Sequence, residues 1–128
     1  MAEHANAEVV RKLTEAFATG DATQVEAIAD PLIADDVVWH EIGRAEPRRG
    51  KGELAASMGE FQGYDIKWDI HDVVASDDHV VALGTATVTH GDRKIVYRTA
   101  EIYHVRNGQV AERWAFSDDT KAITDFFA

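Results

Sequence analysis

From Asp65 onward the chain takes on a two-residue period. "DIKWDIHDVV" alternates Ile66, Trp68 and Ile70 with Lys67, Asp69 and His71, the pattern of a strand with one buried face. Two longer runs, "HVVALGTATVTH" and "RKIVYRTAEIYHV", are rich in β-branched and aromatic residues, and "QVAERWAF" follows them. Gly91-Asp92 and Asn107-Gly108 separate the last three runs and are the residue pairs that tight hairpin turns require. Four consecutive strands therefore form an antiparallel meander, and the rest of the chain has to pack against it.

The first half reads as helix. In "HANAEVVRKLTEAFATGD", Val9, Leu13, Ala16 and Phe17 fall at helical spacing, and Gly20-Asp21 closes the element. A second helix is predicted from about Ala22 to Ala29, with Pro31 ending it. "GKGELAASMGEFQG" gives a third, with Leu54, Met58 and Phe61 on one face. Between the second and third lies "ADDVVWHEIGRAEPRRG". Its first half is a short strand with Val37, Trp39 and Glu41 on one side and Val38 and His40 on the other. This strand is expected at an edge of the meander. The prediction is one α+β domain over residues 1–128, with three N-terminal helices packed in a strongly bent antiparallel sheet. A sheet folded around helices leaves a pocket between them.

A net charge of −10 argues against a nucleic-acid partner and against anionic membrane surfaces. No apolar run approaches the roughly 18 residues of a membrane span, and the start "MAEHANAEVV" has neither the basic nor the apolar region of a signal peptide. There are no cysteines, and the six histidines show no ligand spacing, so no metal site is expected. No Gly-rich nucleotide fingerprint is present. The expectation is a cytoplasmic protein acting on a small molecule or on another protein.

The order helix, Gly-Asp turn, helix, "IADDVVWHE", loop, helix and long meander resembles the nuclear transport factor 2-like superfamily, and within it the SnoaL-like and ketosteroid isomerase-like proteins. The likeness is colinear from "VVRKLTEAFATGD" to "ERWAF". "ADD", a strand and then "EPRRG" look like the steroid isomerase catalytic loop, and "DRKIVYRTAE" matches that family's third long strand. The resemblance implies a cone-shaped barrel. It sets Glu41 at the position of the general base, Glu101 at that of a protonated acid that holds the oxyanion, and Leu13 where the isomerase has a tyrosine. In a SnoaL-type polyketide cyclase the acid/base residues would correspond to Glu101 and Ala115, and Ala115 cannot move a proton. The resemblance also implies that the outer sheet face, carrying Glu112, Trp114 and Phe116, forms a homodimer interface.

Both faces of the Glu101 strand are mixed, so parity alone leaves its direction open: Ile95, Tyr97, Thr99 and Tyr103 share the face of Glu101, and Val96, Arg98, Ala100, Ile102 and His104 the other. The family register turns Glu101 inward. Glu41 and Glu101, the catalytic candidates, would then share an apolar cavity with Trp39, Tyr97, Tyr103, Met58, Phe61 and Trp68. Leu13, Phe17, Thr99, Arg113 and Ala115 would complete the binding walls. Burial disfavours ionising a carboxylate, and a second carboxylate disfavours it again. One glutamate would then act as base and the other as acid in proton removal beside a carbonyl. Alternatively Arg113, inward on the last strand, pairs with a glutamate and favours an anionic ligand. Three functions stay open: a cofactor-independent isomerase-like or SnoaL-like enzyme acting on a small apolar organic molecule, a non-catalytic binding protein, and a hydrolase similar to the limonene epoxide type.

Overall fold

A computed structural model of the chain describes residues 4–19 and 21–128. Helix α1 spans Ala5–Ala18, and the His4 ring caps its start by accepting the Asn6 N–H at 3.1 Å. Val10, Leu13 and Ala16 are buried, with Val9 and Phe17 packed at the margin of the core. Of the expected Gly20-Asp21 stop, Gly20 lies outside the described residues. Asp21 opens the next segment by accepting the Thr23 N–H at 2.9 Å.

The second expected helix is not a regular one. Only Ala22–Gln24 (α2) is α-helical; Val25–Ala29 widens into a π turn, and Asp30–Leu32 tightens into a 3-10 turn at Pro31, which has no N–H to continue the winding. Helix α3 spans Gly50–Gly59 and buries Leu54 and Ser57. Met58, expected on its inner face, is 36% exposed, and Phe61 falls in the turn beyond the helix. A further helix, α4 (Thr120–Phe127), follows Asp118-Asp119, beyond the last run of strand-forming residues. The Asp119 carboxylate caps it by accepting the Ala122 N–H at 3.1 Å, and Ile123 and Phe126 are buried beneath it.

The strands are β1 (Ile33–Trp39), β2 (Arg48–Arg49), β3 (Asp65–Ala75), β4 (His79–His90), β5 (Arg93–Arg106) and β6 (Gln109–Ser117), in the order β2-β1-β6-β5-β4-β3. The meander β3 to β6 is as predicted, and Gly91, Asn107 and Gly108 adopt the positive φ that its turns demand. The early strand differs from expectation. β1 runs parallel to β6, with Trp39 opposite Arg113, and the two-residue β2 covers its outer edge. The sheet is therefore mixed, with β2 and β3 at its edges. Register shifts between Ile70 and Asp72 and between His104 and Val105 bend it. Helix α1 lies against the concave face, which buries Val80, Ala82, Ala86 and Val88 of β4 and Thr99, Glu101, Tyr103 and Val105 of β5. Among the described residues no helix is long and apolar enough to cross a membrane.

Gly84 fixes how this face is filled. A Cβ there would lie 2.2 Å from Trp68 Nε1, so the absence of a side chain lets the indole cross β4 and donate to Thr99 Oγ1 on β5 at 3.0 Å. Gly84→Ala is expected to lower stability by about 1–3 kcal/mol through overpacking and to change tryptophan emission, both read in one urea titration. Unfolding and emission matching the wild type would show that the indole is not seated across Gly84.

Candidate active site

Burial decides the direction of β5. Glu101 is 6% exposed and Tyr103 1%, whereas Val96 on the other face is 56% exposed. Glu101 stands between two alanines, Ala82 on β4 and Ala115 on β6, which leave room for the side chain it meets. That side chain is Arg113, opposite Tyr103 on β6 and opposite Trp39 on β1. Arg113 Nε donates to Glu101 Oε1 at 3.0 Å, Nη2 donates to the same oxygen, and the Tyr103 hydroxyl adds a third donor at 3.3 Å. Arg113 Nη1 donates to the His40 carbonyl at 2.9 Å, and the guanidinium lies 4.5 Å from the centre of a Trp39 ring.

Of the two outcomes left open by the sequence, the structure thus has Arg113 paired with Glu101. Burial, the largest single cause, pulls the Arg113 guanidinium down, but the charge of Glu101, the Tyr103 oxygen and the hydrogen bonds to both together outweigh it, and the net displacement is upward. Burial, reinforced by Glu101, pushes the Tyr103 phenol well above its ordinary value, so it remains a donor. Tyr97 is raised for the same two reasons. Trp39 is held between Phe17 and Tyr103 in edge contacts at 6.1 and 6.4 Å, and Leu13 is fully buried in the core behind them.

Glu41 has a different arginine. Arg48 is paired with Trp39 across β1 and β2 and is 8% exposed. Its Nε donates to Glu41 Oε1 at 2.7 Å and its Nη2 to Glu60 Oε2 at 2.6 Å. The hydrogen bond that Arg48 donates to Glu41 is the main cause raising the Arg48 guanidinium. Arg48 and Glu60 were missed in the sequence; the signal was present in "EPRRG", where an arginine precedes a helix and returns alongside the strand leading to Glu41. His40 turns the other way, as strand parity predicts, onto Glu112 Oε2 at 2.7 Å and a stacked Trp114.

Each glutamate is anchored through Oε1, and among the described residues no hydrogen bond engages Oε2 of either. No buried side-chain polar atom among the described residues lacks a partner, so the second oxygen of Glu101 is not sealed away from solvent. Glu41 lines a cavity of about 320 Å³ between residues 40–44 and 114–117, with Thr120 also in its wall. Ala115 lines it also; Glu101 does not. A second cavity, about 270 Å³, adjoins Thr99 and Ser117. Phe61 lies apart from both glutamates, in an aromatic group with Tyr64, Phe126 and Phe127 where α4 meets the sheet. Among the described residues no cluster of His, Asp and Glu is positioned to hold a metal.

Comparison with solved structures returns the same architecture. Bal32a, from a soil-derived mobile gene cassette, is 26% identical, with a TM-score of 0.83 and 97% of each chain covered. IdmH from Streptomyces antibioticus, provisionally assigned as a polyketide cyclase, is 24% identical, with a TM-score of 0.73 over 98% of this chain and 100% of that one. An LEH-like epoxide hydrolase of M. tuberculosis is 19% identical, with a TM-score of 0.77 over 94% and 87%. No curated protein sequence matches the chain. The model of the SnoaL-like domain matches residues 10–113, a span that runs from α1 to Arg113 itself, and the chain belongs to the SnoaL-like domain family.

Proposed function

We propose that this protein is a small-molecule enzyme that moves a proton next to a carbonyl group, with Glu41 as the base. One observation carries the reading: Glu41 lines the 320 Å³ cavity, and Arg48 fixes one of its carboxylate oxygens while the other takes no hydrogen bond among the described residues. A base has to be held in place and still present a lone pair. The cavity is at the small end of ordinary ligand sites, which suits a molecule of one or two rings. Glu101, the second catalytic candidate, takes three donors on one oxygen and so serves as the acceptor that fixes Arg113 and Tyr103. Tyr97, Thr99, Trp39, Phe17 and Trp68 would form the binding walls on the Glu101 side of the sheet.

The Arg113–Glu101 bond gives a hydrolase of the epoxide-opening type some support. That chemistry asks for a second acid on the arginine, and here the remaining Arg113 contact goes to the His40 carbonyl. Proton transfer is the better fit.

The same reading includes a homodimer. Val74, Leu83, Val96 and Phe116 are 41–56% exposed on the convex face, and cross-strand pairing joins Leu83, Ala100 and Phe116 in one row beside Val74, Val81, Ile102 and Trp114. A contiguous apolar sheet face of this kind calls for cover, and a second copy related by two-fold symmetry supplies it.

Two outcomes are expected. In D2O, the wild type should speed exchange of the α-protons of cyclic ketones such as 2-indanone, followed by proton NMR, and Glu41→Gln should slow it by at least about 100-fold. No exchange by the wild type, or equal exchange by the variant, would leave a receptor without this chemistry. In light scattering the wild type should run at twice the chain mass and Leu83→Glu/Phe116→Glu at once, with unchanged circular dichroism; a monomeric wild type would remove the dimer.

A further inference from the structure

The cavity that Glu41 lines lies where β1 and β6 part, between residues 40–44 and 114–117. β1 pairs with β6 as far as Trp39 and Arg113, and the His40 N–H still reaches the Arg113 carbonyl at 2.8 Å. A continuing parallel ladder would next give the Ala115 N–H to the His40 carbonyl. That bond is absent. The His40 carbonyl instead accepts Arg113 Nη1 at 2.9 Å, and the chain turns away through 41–44, where the Arg44 N–H closes onto the Glu41 carbonyl at 3.2 Å.

Gly43 holds the turn off the strand. It has φ +77°, and its missing Cβ would lie 2.6 Å from Thr124 Oγ1 of α4, so the loop rests on α4 and not on β6. Alternate residues of a strand present their N–H and C=O to opposite edges. Since the Arg113 carbonyl faces β1, the N–H of Ala115, two residues on, faces the same side. On that side it has no partner among the described residues, and Ala115 lines the cavity together with Glu41.

We propose that the Ala115 main-chain N–H is the oxyanion donor of this site, and that the cleft takes a small ketone or related carbonyl compound with an acidic C–H beside the carbonyl. This rests on the proton-transfer reading above. Glu41 Oε2 takes the proton from the carbon. The C–H electron pair becomes the carbon–carbon double bond of the enolate, and the carbonyl π pair moves onto oxygen, where the Ala115 N–H meets it. Return of the proton from Glu41 to the same carbon restores the ketone and is read as hydrogen exchange; where the substrate carries a β,γ double bond, delivery of that proton to the γ-carbon of the dienolate completes an isomerisation with no other reactant. Ile42, Trp114 and Phe116 supply apolar walls. A backbone donor also suits the alanine at 115: strand geometry fixes the N–H whatever the side chain, and a donor held in place before the reaction stabilises charge as it develops on the substrate oxygen.

The test uses p-nitrophenol, whose oxygen can share a proton with Glu41 and accept from Ala115 as an enolate oxygen would. In nitrogen–proton correlation spectra of the labelled protein, the Ala115 amide proton should move downfield as the probe saturates. Ala115→Pro removes this N–H from an unpaired edge, where proline is tolerated, and should weaken binding about 10-fold or more, the size of a lost hydrogen bond to a charged group. If the proline variant does not fold, the backbone ester made by placing lactic acid at 115 gives the same deletion and the same expected loss. An unmoved Ala115 amide at saturation, undiminished binding by the proline or ester variant, or no binding of the probe at all overturns the proposal. Ketone exchange that depends on Glu41 but is untouched by Ala115→Pro would sink this inference alone. A shifted Ala115 amide in a protein that exchanges no ketone would sink the chemistry and keep the site.

Discussion

A guanidinium carried into the concave side of a sheet has to be neutralised and has to place each of its N–H groups, and in this protein Arg113 organises its surroundings by doing so. Two of its nitrogens converge on Glu101, which explains why a carboxylate is tolerated between two alanines at 6% exposure. Its flat face lies against Trp39, which in turn is pinned by Phe17 and Tyr103. Its remaining nitrogen takes the His40 carbonyl and so ends the ladder between β1 and β6. One side chain thus sets the polar centre of the concave face, the position of the aromatic wall, and the gap between β1 and β6 that Glu41 lines.

Arg48 repeats the arrangement at the rim. Sequence parity puts Glu41 on the Trp39 side of β1, and Arg48, brought opposite Trp39 by β2, meets it there. The expectation of two neighbouring glutamates competing for one proton gives way to two guanidinium–carboxylate units, each leaving one carboxylate oxygen uncommitted. The fold itself is compatible with many chemistries; what distinguishes this chain is which oxygens are tied down and which are free.

The meander was legible because strand alternation and the Gly-Asp and Asn-Gly turns are local signals, and α1 because its apolar spacing is regular over several turns. The direction of Glu101 was not, since both faces of β5 mix polar and apolar residues; the family register supplied it. The parallel seat of β1 depends on β6, more than 70 residues away, and no local pattern announces it. Helix α4 is short and opens on two aspartates that look like a turn, so Asp119 as a cap becomes evident only once Ile123 and Phe126 are seen to be buried. Met58 failed as a pocket residue because α3 is rolled so that Leu54 and Ser57 face the sheet. Arg48 was overlooked because "EPRRG" was read for its backbone resemblance and not for its charges.

The central claim is that Arg113 and Glu101 depend on one another on the concave face of the sheet. A double-mutant cycle in urea unfolding, with Arg113→Met, Glu101→Leu and the two combined, measures this directly. Each single change strands a buried charge and is predicted to cost about 3–5 kcal/mol, while the double variant, with neither charge left, should lose far less than the sum. Single variants within about 1 kcal/mol of the wild type, or losses that simply add, as for independent sites, would contradict the account.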